Sequence, residues 1–217
     1  MAIFKPSKIL LYKKIKANAD YVFGTTLDAG SGGFNRYGGL FKKMTKYVSL
    51  DIKSECKPDI VGPVDNIPLG DNSVDSIICT QVIGDVVNPD KVIKEFYRVV
   101  RPGGTVLLSE SFMNEIHGEP FDYWRFTNYG MKHLFETNGF TILKFEQIGG
   151  FFSVQAQNTI RYLIEKFKLN QGGFFSSIVS PFINIFGKFL IFLDKIDKSQ
   201  ANRKFSIGWL AIAKKNE

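Results

Sequence analysis

Three stretches of this 217-residue chain hold side chains whose types and spacing suit chemistry. The first is Asp28-Ala29-Gly30-Ser31-Gly32-Gly33, followed by Asp51. Glycines let the backbone turn sharply and let a ligand approach the main chain with no Cβ in the way. A helix starting just after such a turn offers free N–H groups to an anionic group. An acidic side chain ending the next strand can accept both hydroxyls of an adenosine ribose. Together the turn and Asp51 point to a nucleoside-bearing cofactor without choosing which. A dinucleotide fingerprint wants a third glycine at position 35, where this chain has Asn35. The second stretch is SESFMNEIHGEPFDYWRFT, which sets His117 ahead of Asp122, Tyr123 and Arg125. A neutral imidazole can take the proton of a hydroxyl acceptor. The other histidine, His133, lies in a helical stretch and reads as a packing or surface residue. The third is FFSSIVSPFINIFGKFLIFL, residues 174–193, close to the roughly 20 apolar residues that a membrane span needs.

Positioning these groups needs a scaffold, and short apolar runs alternating with helical patterns predict one. Strands are expected at 23–29, 46–51, 59–61, 74–80, 103–110, 140–147 and from 204 to the end. Helices are expected at 7–19, 33–44, 89–100 and 128–138. Asn88 and Thr127 suit helix N-caps, and Pro89 suits a first helical position. In residues 7–19, Leu11, Tyr12, Ile15 and Ala19 fall on one face. This alternation is the pattern of a Rossmann-like, doubly wound α/β sheet of seven mostly parallel strands with helices on both faces. His117 then follows the fifth strand, at the carboxyl edge where open α/β sheets bind ligands. The chain is read as a single domain. It comprises an N-terminal basic helix (1–20), a cofactor-binding core (21–150), an apolar and basic helical insert (151–203) and a final strand (204–217).

DIVGPVDNIPLGDNSVDSIICTQV and NPDKVIKEFYRVVRPGGTVLLSES, residues 59–82 and 88–111, resemble the middle of the class I S-adenosylmethionine-dependent methyltransferases, of the methyltransferase type 11-like group. In that family an Asn-Ile-Pro-Leu-like turn precedes Asp-Asn-Ser-x-Asp and a fourth strand, and a helix later ends in Arg-Val-x-x-Pro-Gly-Gly. The resemblance runs from about Leu27 to Gly150 and implies S-adenosylmethionine as cofactor. It implies that Asp28, Gly30 and Gly32 hold the methionine end and Asp51 the ribose. Asp65, Asn66 and Ile67 would lie near the adenine, and Gln81 would line the pocket under the sulfonium. Two positions depart from the family. Pro63 stands where many relatives have Asp, so Asp65 would substitute. Gln81-Val82 stands where many have Glu-His, so no catalytic histidine carries over there. The His-Gly-x-Pro-x-Asp-Tyr-x-Arg-Phe-Thr stretch resembles a bacterial subgroup associated with surface glycans. It implies an acceptor site of Asp122, Tyr123 and Arg125, with His117 as the base. A core role for the aromatics and a structural Asp122–Arg125 ion pair form the competing reading.

The remaining features narrow the acceptor. Amino-methylating DNA enzymes show an Asn/Asp/Ser-Pro-Pro-aromatic motif after the fourth strand, and here it is Thr80-Gln81-Val82-Ile83. Neither Cys56 nor Cys79 follows a proline, so the nucleophile of a cytosine-C5 enzyme is missing. No His/Cys cluster has metal-ligand spacing, and no RNA-binding motif is present. A small-molecule or glycan oxygen fits better than nucleic acid. A non-catalytic S-adenosylmethionine-binding scaffold is the alternative, and a nicotinamide oxidoreductase a more distant one. The net charge of +7 concentrates in residues 1–20 and 151–204, which points to an anionic surface. Two readings of 174–193 stay open: a helical cap or homodimer surface, or a helix lying in the membrane interface. A single crossing would strand the last strand on the wrong side of the bilayer, so spanning is not expected. Two cysteines and no signal-peptide pattern suggest a reduced, cytoplasmic protein, peripheral at the inner membrane face under the second reading.

Overall fold

A computed structural model describes residues 3–216, apart from the side chain of Phe175. Among these, α1 (Pro6–Ala17), β1 (Phe23–Ala29), β2 (Lys43–Asp51), β3 (Ile60–Val61) and β4 (Val74–Thr80) come first. α2 (Pro89–Val99), β5 (Val100–Ser111), α3 (Asn128–Glu136) and β6 (Phe140–Ile148) follow. α4 (Phe151–Lys166), α5 (Phe174–Ile196) and β7 (Gly208–Lys215) complete the order. The seven strands form one sheet in the order β3-β2-β1-β4-β5-β7-β6. β2–β3, β1–β2, β1–β4 and β4–β5 pair in parallel. The chain winds outward from β1 through β2 and β3, then crosses to β4 on β1's other side. That reversal is the switch point where such sheets take ligands.

The central strands are buried on consecutive residues: Ile77, Ile78 and Cys79 in β4, Val106, Leu107 and Leu108 in β5, and Leu210 to Ala213 in β7. Neighbouring strand residues point to opposite faces, so both faces of the sheet are covered. α2 supplies part of that cover through Val92, Ile93, Phe96 and Val99. Its start is set locally. Asn88 Oδ1 accepts the Lys91 N–H at 3.2 Å, and Pro89 opens the first turn. Thr127 Oγ1 caps α3 in the same way, accepting the Gly130 N–H at 3.0 Å. In α1, Leu11 and Ile15 are buried, whereas Tyr12 faces solvent.

The helix expected over 33–44 does not form. Only a 3₁₀ turn at Gly38–Leu40 occurs there, and β2 already begins at Lys43. Gly38 and Gly39 lower helix propensity, while Thr45, Tyr47 and Val48 favour the pleated strand. Phe34, Asn35 and Arg36 are exposed and present no apolar stripe. The glycine turn is therefore not followed by a helix N-terminus. The final strand likewise starts four residues later than expected, at Gly208.

Two compact units result. Residues up to 13, 112–115 and 147–208 form one, and 14–111, 116–146 and the residues from 209 on form the other. In the first, α4 and α5 share a core of Ile160, Ile164, Leu169 and Ile183, with Phe4 and Val179 packed against it. The free N–H groups at the start of a helix need acceptors, and α5 provides them for α4. Asp194 accepts from Gly150 (2.9 Å), Phe152 (3.0 Å) and Ser153 (2.8 Å), while Asn202 Oδ1 accepts from Phe151 (2.6 Å). Asp194→Ala should thus lower the free energy of urea unfolding by about 2 kcal/mol, with Asp194→Asn intermediate. An unchanged transition would show that solvent satisfies these donors.

Candidate active site

β1 delivers Asp28 and Gly30 to the switch point, and β2 delivers Asp51 beside them. The backbone N–H groups of Gly30 and Ser31 donate to Leu50 O at 2.8 and 3.1 Å. Asp51 then fixes the rest of the turn: Oδ2 accepts the Gly32 N–H at 2.7 Å and Oδ1 the Lys53 N–H at 2.9 Å. Both glycines have positive φ, +78° at Gly30 and +62° at Gly32, where a side chain is strained. They differ in surroundings. A Cβ on Gly30 would meet Val82 at 2.4 Å, whereas one on Gly32 would meet nothing within 4 Å. Gly30 is therefore required by the protein's own packing, and Gly32 opens onto free space.

Asp28 is buried, and its partner among the described residues is the neutral Tyr47 hydroxyl, which donates at 2.8 Å. Burial raises its pKa to about 6, against the pull of Tyr47 and of the Arg36 charge. Burial and the Asp28 charge in turn push the Tyr47 phenol up. A buried carboxyl with a neutral partner beside an open glycine turn fits a ligand bearing an ammonium group.

Asp65, Asn66 and Ile67 are anchored elsewhere. The Ile67 N–H donates to Glu95 Oε2 at 2.8 Å, and Arg98 of α2 donates to Ile67 O (2.9 Å) and Leu69 O (2.7 Å) while pairing with Glu95. The Ile67 side chain is core, Asn66 is exposed, and Asp65 lies 3.7 Å from Lys91. Gln81 follows β4 at φ +58°, with its side-chain Oε1 accepting from Ser111 Oγ at 2.6 Å. The neighbouring Val82 is the residue that faces Gly30.

A second cluster gathers past the ends of β4 and β5. Asp122 accepts the His117 backbone N–H at 2.7 Å and both terminal nitrogens of Arg125, Nη2 at 2.7 Å. These contacts hold its carboxyl at about 2, the Arg125 pair being the largest cause. Arg125 Nη2 also stands 3.3 Å from His117 Nδ1, and Asp122 Oδ2 stands 3.6 Å from it. A guanidinium only donates, so the Arg125 contact draws on the Nδ1 lone pair and leaves the neutral ring's proton on Nε2. The segment is strapped to the loop after β4, because the Tyr123 and Trp124 N–H groups donate to Gly84 O at 2.9 and 3.0 Å. The Tyr123 side chain is exposed. Asp85, His117 and Asp122 each offer an atom within 4.8 Å of the others, but the Arg125 guanidinium already supplies the positive charge there.

Sequence reasoning passed over Glu110. It ends β5 fully buried, accepting the N–H groups of Gly84 (3.0 Å) and Ser111 (2.7 Å). Burial raises it to about 7, with the Asp85 charge also raising it and His117 opposing. A lone carboxyl within VLLSES was the available signal.

This sheet order, with an acid-and-glycine turn after β1 and an acid closing β2, is that of the class I methyltransferase fold. Residues 27–108 match the family described as "Methyltransferase domain". The chain is 34% identical over 86 residues to thiol S-methyltransferase TMT1B of Homo sapiens, covering 39% of this chain and 33% of that protein. It is 37% identical over 93 residues to the ubiquinone/menaquinone biosynthesis C-methyltransferase UbiE of Geotalea daltonii, covering 43% and 34%. The matched stretch thus spans about a third of each relative's length. Among solved structures, phosphoethanolamine N-methyltransferase 2 of Haemonchus contortus in complex with S-adenosyl-L-methionine superposes with a TM-score of 0.60 at 17% identity, covering 97% of this chain and 53% of that one. An S-adenosylmethionine-dependent methyltransferase from Aquifex aeolicus gives 0.51 at 20% identity, covering 67% and 93%. These distant likenesses bear on the fold. The Haemonchus structure holds S-adenosyl-L-methionine, and the open Gly32 and buried Asp28 suit a ligand with an ammonium end of that kind.

The two raised carboxyls set a pH dependence. Glu110 and Asp28 ionise near 7 and 6 in the fold, against ordinary values of 4.5 and 3.8. In the window between, the folded state holds more protons than the unfolded one, so stability falls as pH rises. Glu110 alone contributes on the order of 3 kcal/mol. Asp122 acts in the opposite sense, but its contribution is lost only as pH falls below about 4 toward 2. Urea unfolding should therefore give a lower stability near pH 7.5 than near pH 5, and Glu110→Gln should flatten the slope. Stability that climbs across that window would contradict the burial argument.

Proposed function

We propose that the chain transfers the methyl group of S-adenosylmethionine to an oxygen of a glycan, a lipid-linked intermediate or another small molecule. The observation that carries this is the pairing of two clusters at the carboxyl ends of one sheet. One is the open acid-and-glycine turn. The other is a histidine held by a part-buried Asp–Arg pair. When bound, the cofactor supplies an electrophilic methyl on a sulfonium, and the protein's main task is alignment. Asp28 neutralises the ammonium of the methionine end, and Gly32 lets that end approach the main chain. Asp51 accepts from the ribose while still bracing the turn. Asp65, Asn66 and Ile67 border the adenine, and Gln81 lines the pocket floor.

Acceptor activation falls to His117. Its Nε2 can take a hydroxyl proton only when Nδ1 bears the other hydrogen. That requires the ring to turn its Nδ1–H to Asp122 Oδ2, now 3.6 Å away, instead of accepting from Arg125. Asp122, strongly ionised, is suited to hold that tautomer. Exposed Phe121, Tyr123 and Trp124 offer aromatic surface with a polar edge beside the pair, which suits a sugar-like acceptor. The relatives' names give thiol, quinone-precursor and phosphoethanolamine chemistry, so the acceptor class rests on these residues. The hold of Arg125 on Nδ1 favours a second reading, a non-catalytic S-adenosylmethionine-binding protein.

Calorimetry with S-adenosylmethionine, S-adenosylhomocysteine and NAD tests the cofactor half. Both adenosyl ligands should bind and NAD should not; the reverse pattern would end the proposal. Gly32→Ala should weaken cofactor binding at least tenfold while costing about 1 kcal/mol of stability from backbone strain alone. Its Cβ meets no protein atom, so an unchanged affinity would remove the turn from the cofactor site. His117→Ala should cut turnover on an oxygen acceptor by roughly 10²–10⁴ with cofactor affinity kept. Tight cofactor binding with no turnover on glycan, lipid-linked or small hydroxyl acceptors would establish the non-catalytic reading.

A further inference from the structure

Within the unit that holds α4 and α5, one face of α5 is apolar, continuous and uncovered. Phe174, Ile178, Phe182, Ile185, Phe189 and Phe192 are all exposed, Phe174 at 85% and Phe182 at 70%. At about 100° per residue these six fall within an arc of about 80°. The stripe runs the length of the helix, roughly 30 Å at 1.5 Å per residue. Exposed Lys188 and Lys195 lie along one edge of it. The one acid of α5, Asp194, is turned inward to the start of α4. Exposed Lys166 closes the end of α4, its ammonium 5.3 Å from the Tyr162 ring and 5.7 Å from that of Phe167. Residues 151–204 hold eight basic side chains against three acidic ones.

We infer that this face docks on an anionic bilayer surface, with α5 lying in the interfacial plane and its phenylalanines in the acyl boundary. A helix with an apolar stripe edged by lysines has the charge and shape for such a surface. By length and composition α5 could also cross a membrane, but its opposite face is committed to protein. Ser176 Oγ donates to Leu169 O at 2.8 Å, Asn184 Oδ1 accepts the Phe4 N–H at 2.7 Å, and Asp194 caps α4. A Cβ on Gly187 would stand 2.7 Å from Phe4 and 2.8 Å from Ile160, so the helix is seated closely on that side. Crossing would break every one of these contacts. A second copy of the chain is the rival occupant. An isologous interface would meet the stripe with another row of lysines and no exposed α5 carboxylate. Anionic headgroups complement the lysines, and acyl chains complement the phenylalanines.

This inference does not depend on methyl transfer, and its test reads no activity. The full chain is sedimented with vesicles of phosphatidylcholine mixed with phosphatidylglycerol, and with phosphatidylcholine alone, across a salt series. Binding to the anionic vesicles is expected, weakening as salt shortens the screening length below about 10 Å. Phe182→Ser with Phe189→Ser should reduce it at least tenfold, and Lys188→Ala and Lys195→Ala about fivefold each, equivalent to ~1 kcal/mol. The substituted residues are exposed, so circular dichroism should show unchanged folding. No sedimentation with anionic vesicles would overturn the inference. So would a wild-type dimer, seen by light scattering, that the double serine variant converts to monomer without any vesicle binding. Carbonate washing of cell membranes should release the protein; retention would overturn the interfacial placement in favour of a span.

Discussion

The glycine turn at the switch point of the sheet depends on the two carboxylate oxygens of Asp51. One accepts the Gly32 N–H and the other the Lys53 N–H, so the side chain that closes β2 also shapes the turn that follows β1. A helix N-terminus, the usual companion of such a turn, is missing here. The peptide N–H groups of Gly30 and Ser31 are directed to Leu50 O instead. The turn is therefore built by hydrogen bonds between neighbouring parallel strands. This explains how it can remain open at Gly32 while being closed at Gly30, where Val82 fills the space. It also means that replacing Asp51 disturbs the turn itself, on which the proposed cofactor site rests.

A second constraint is the placement of carboxyl groups along the carboxyl edge of the sheet. Asp28, Glu110 and Asp122 are all buried or nearly so, yet they are driven in different directions. Asp122 faces a guanidinium and a peptide N–H and stays ionised. Asp28 and Glu110 have neutral donors and are raised by desolvation. An environment that separates acid strengths in this way leaves one fixed negative charge beside His117 and two carboxyls whose charge varies with pH. A ligand with an ammonium and a sulfonium restores the charge balance that burial of Asp28 disturbs.

Much of this was legible in the sequence where the determinants are local. Asn88-Pro89 and Thr127 announce their helices because a cap bonds three residues ahead, and the strands of the core show as apolar runs. The grouping of His117 with Asp122 and Arg125 was legible because the three lie within one short loop. What stayed hidden depends on partners far along the chain. The Tyr47 hydroxyl on Asp28 joins β2 to β1, and the Gly84 N–H on Glu110 joins the loop after β4 to the end of β5. The tautomer of His117 turns on a contact of a few tenths of an ångström, which no spacing encodes. The helix expected over 33–44 failed because strand-forming residues at 45–48 extended β2 backward into it, a competition that periodicity alone does not weigh.

The apolar insert shows the same limit from the other side. Residues 174–193 read equally as a helical cap or dimer surface and as a helix in the membrane interface, because composition is shared by both. The polar residues scattered through them carry the distinction once their direction is known. Ser176, Asn184 and Asp194 point toward α4 and the N-terminal segment, each with a bonded partner, while the large aromatics point away. A helix buried within its own unit would turn the phenylalanines inward and leave the serines, asparagine and aspartate to water. Here the polar groups hold the helix in place, and the free energy still available from burying apolar area lies on the outer face. On the inference drawn for α5, this outer face is the one offered to a bilayer, because hydrogen bonds commit the opposite side of the helix to protein.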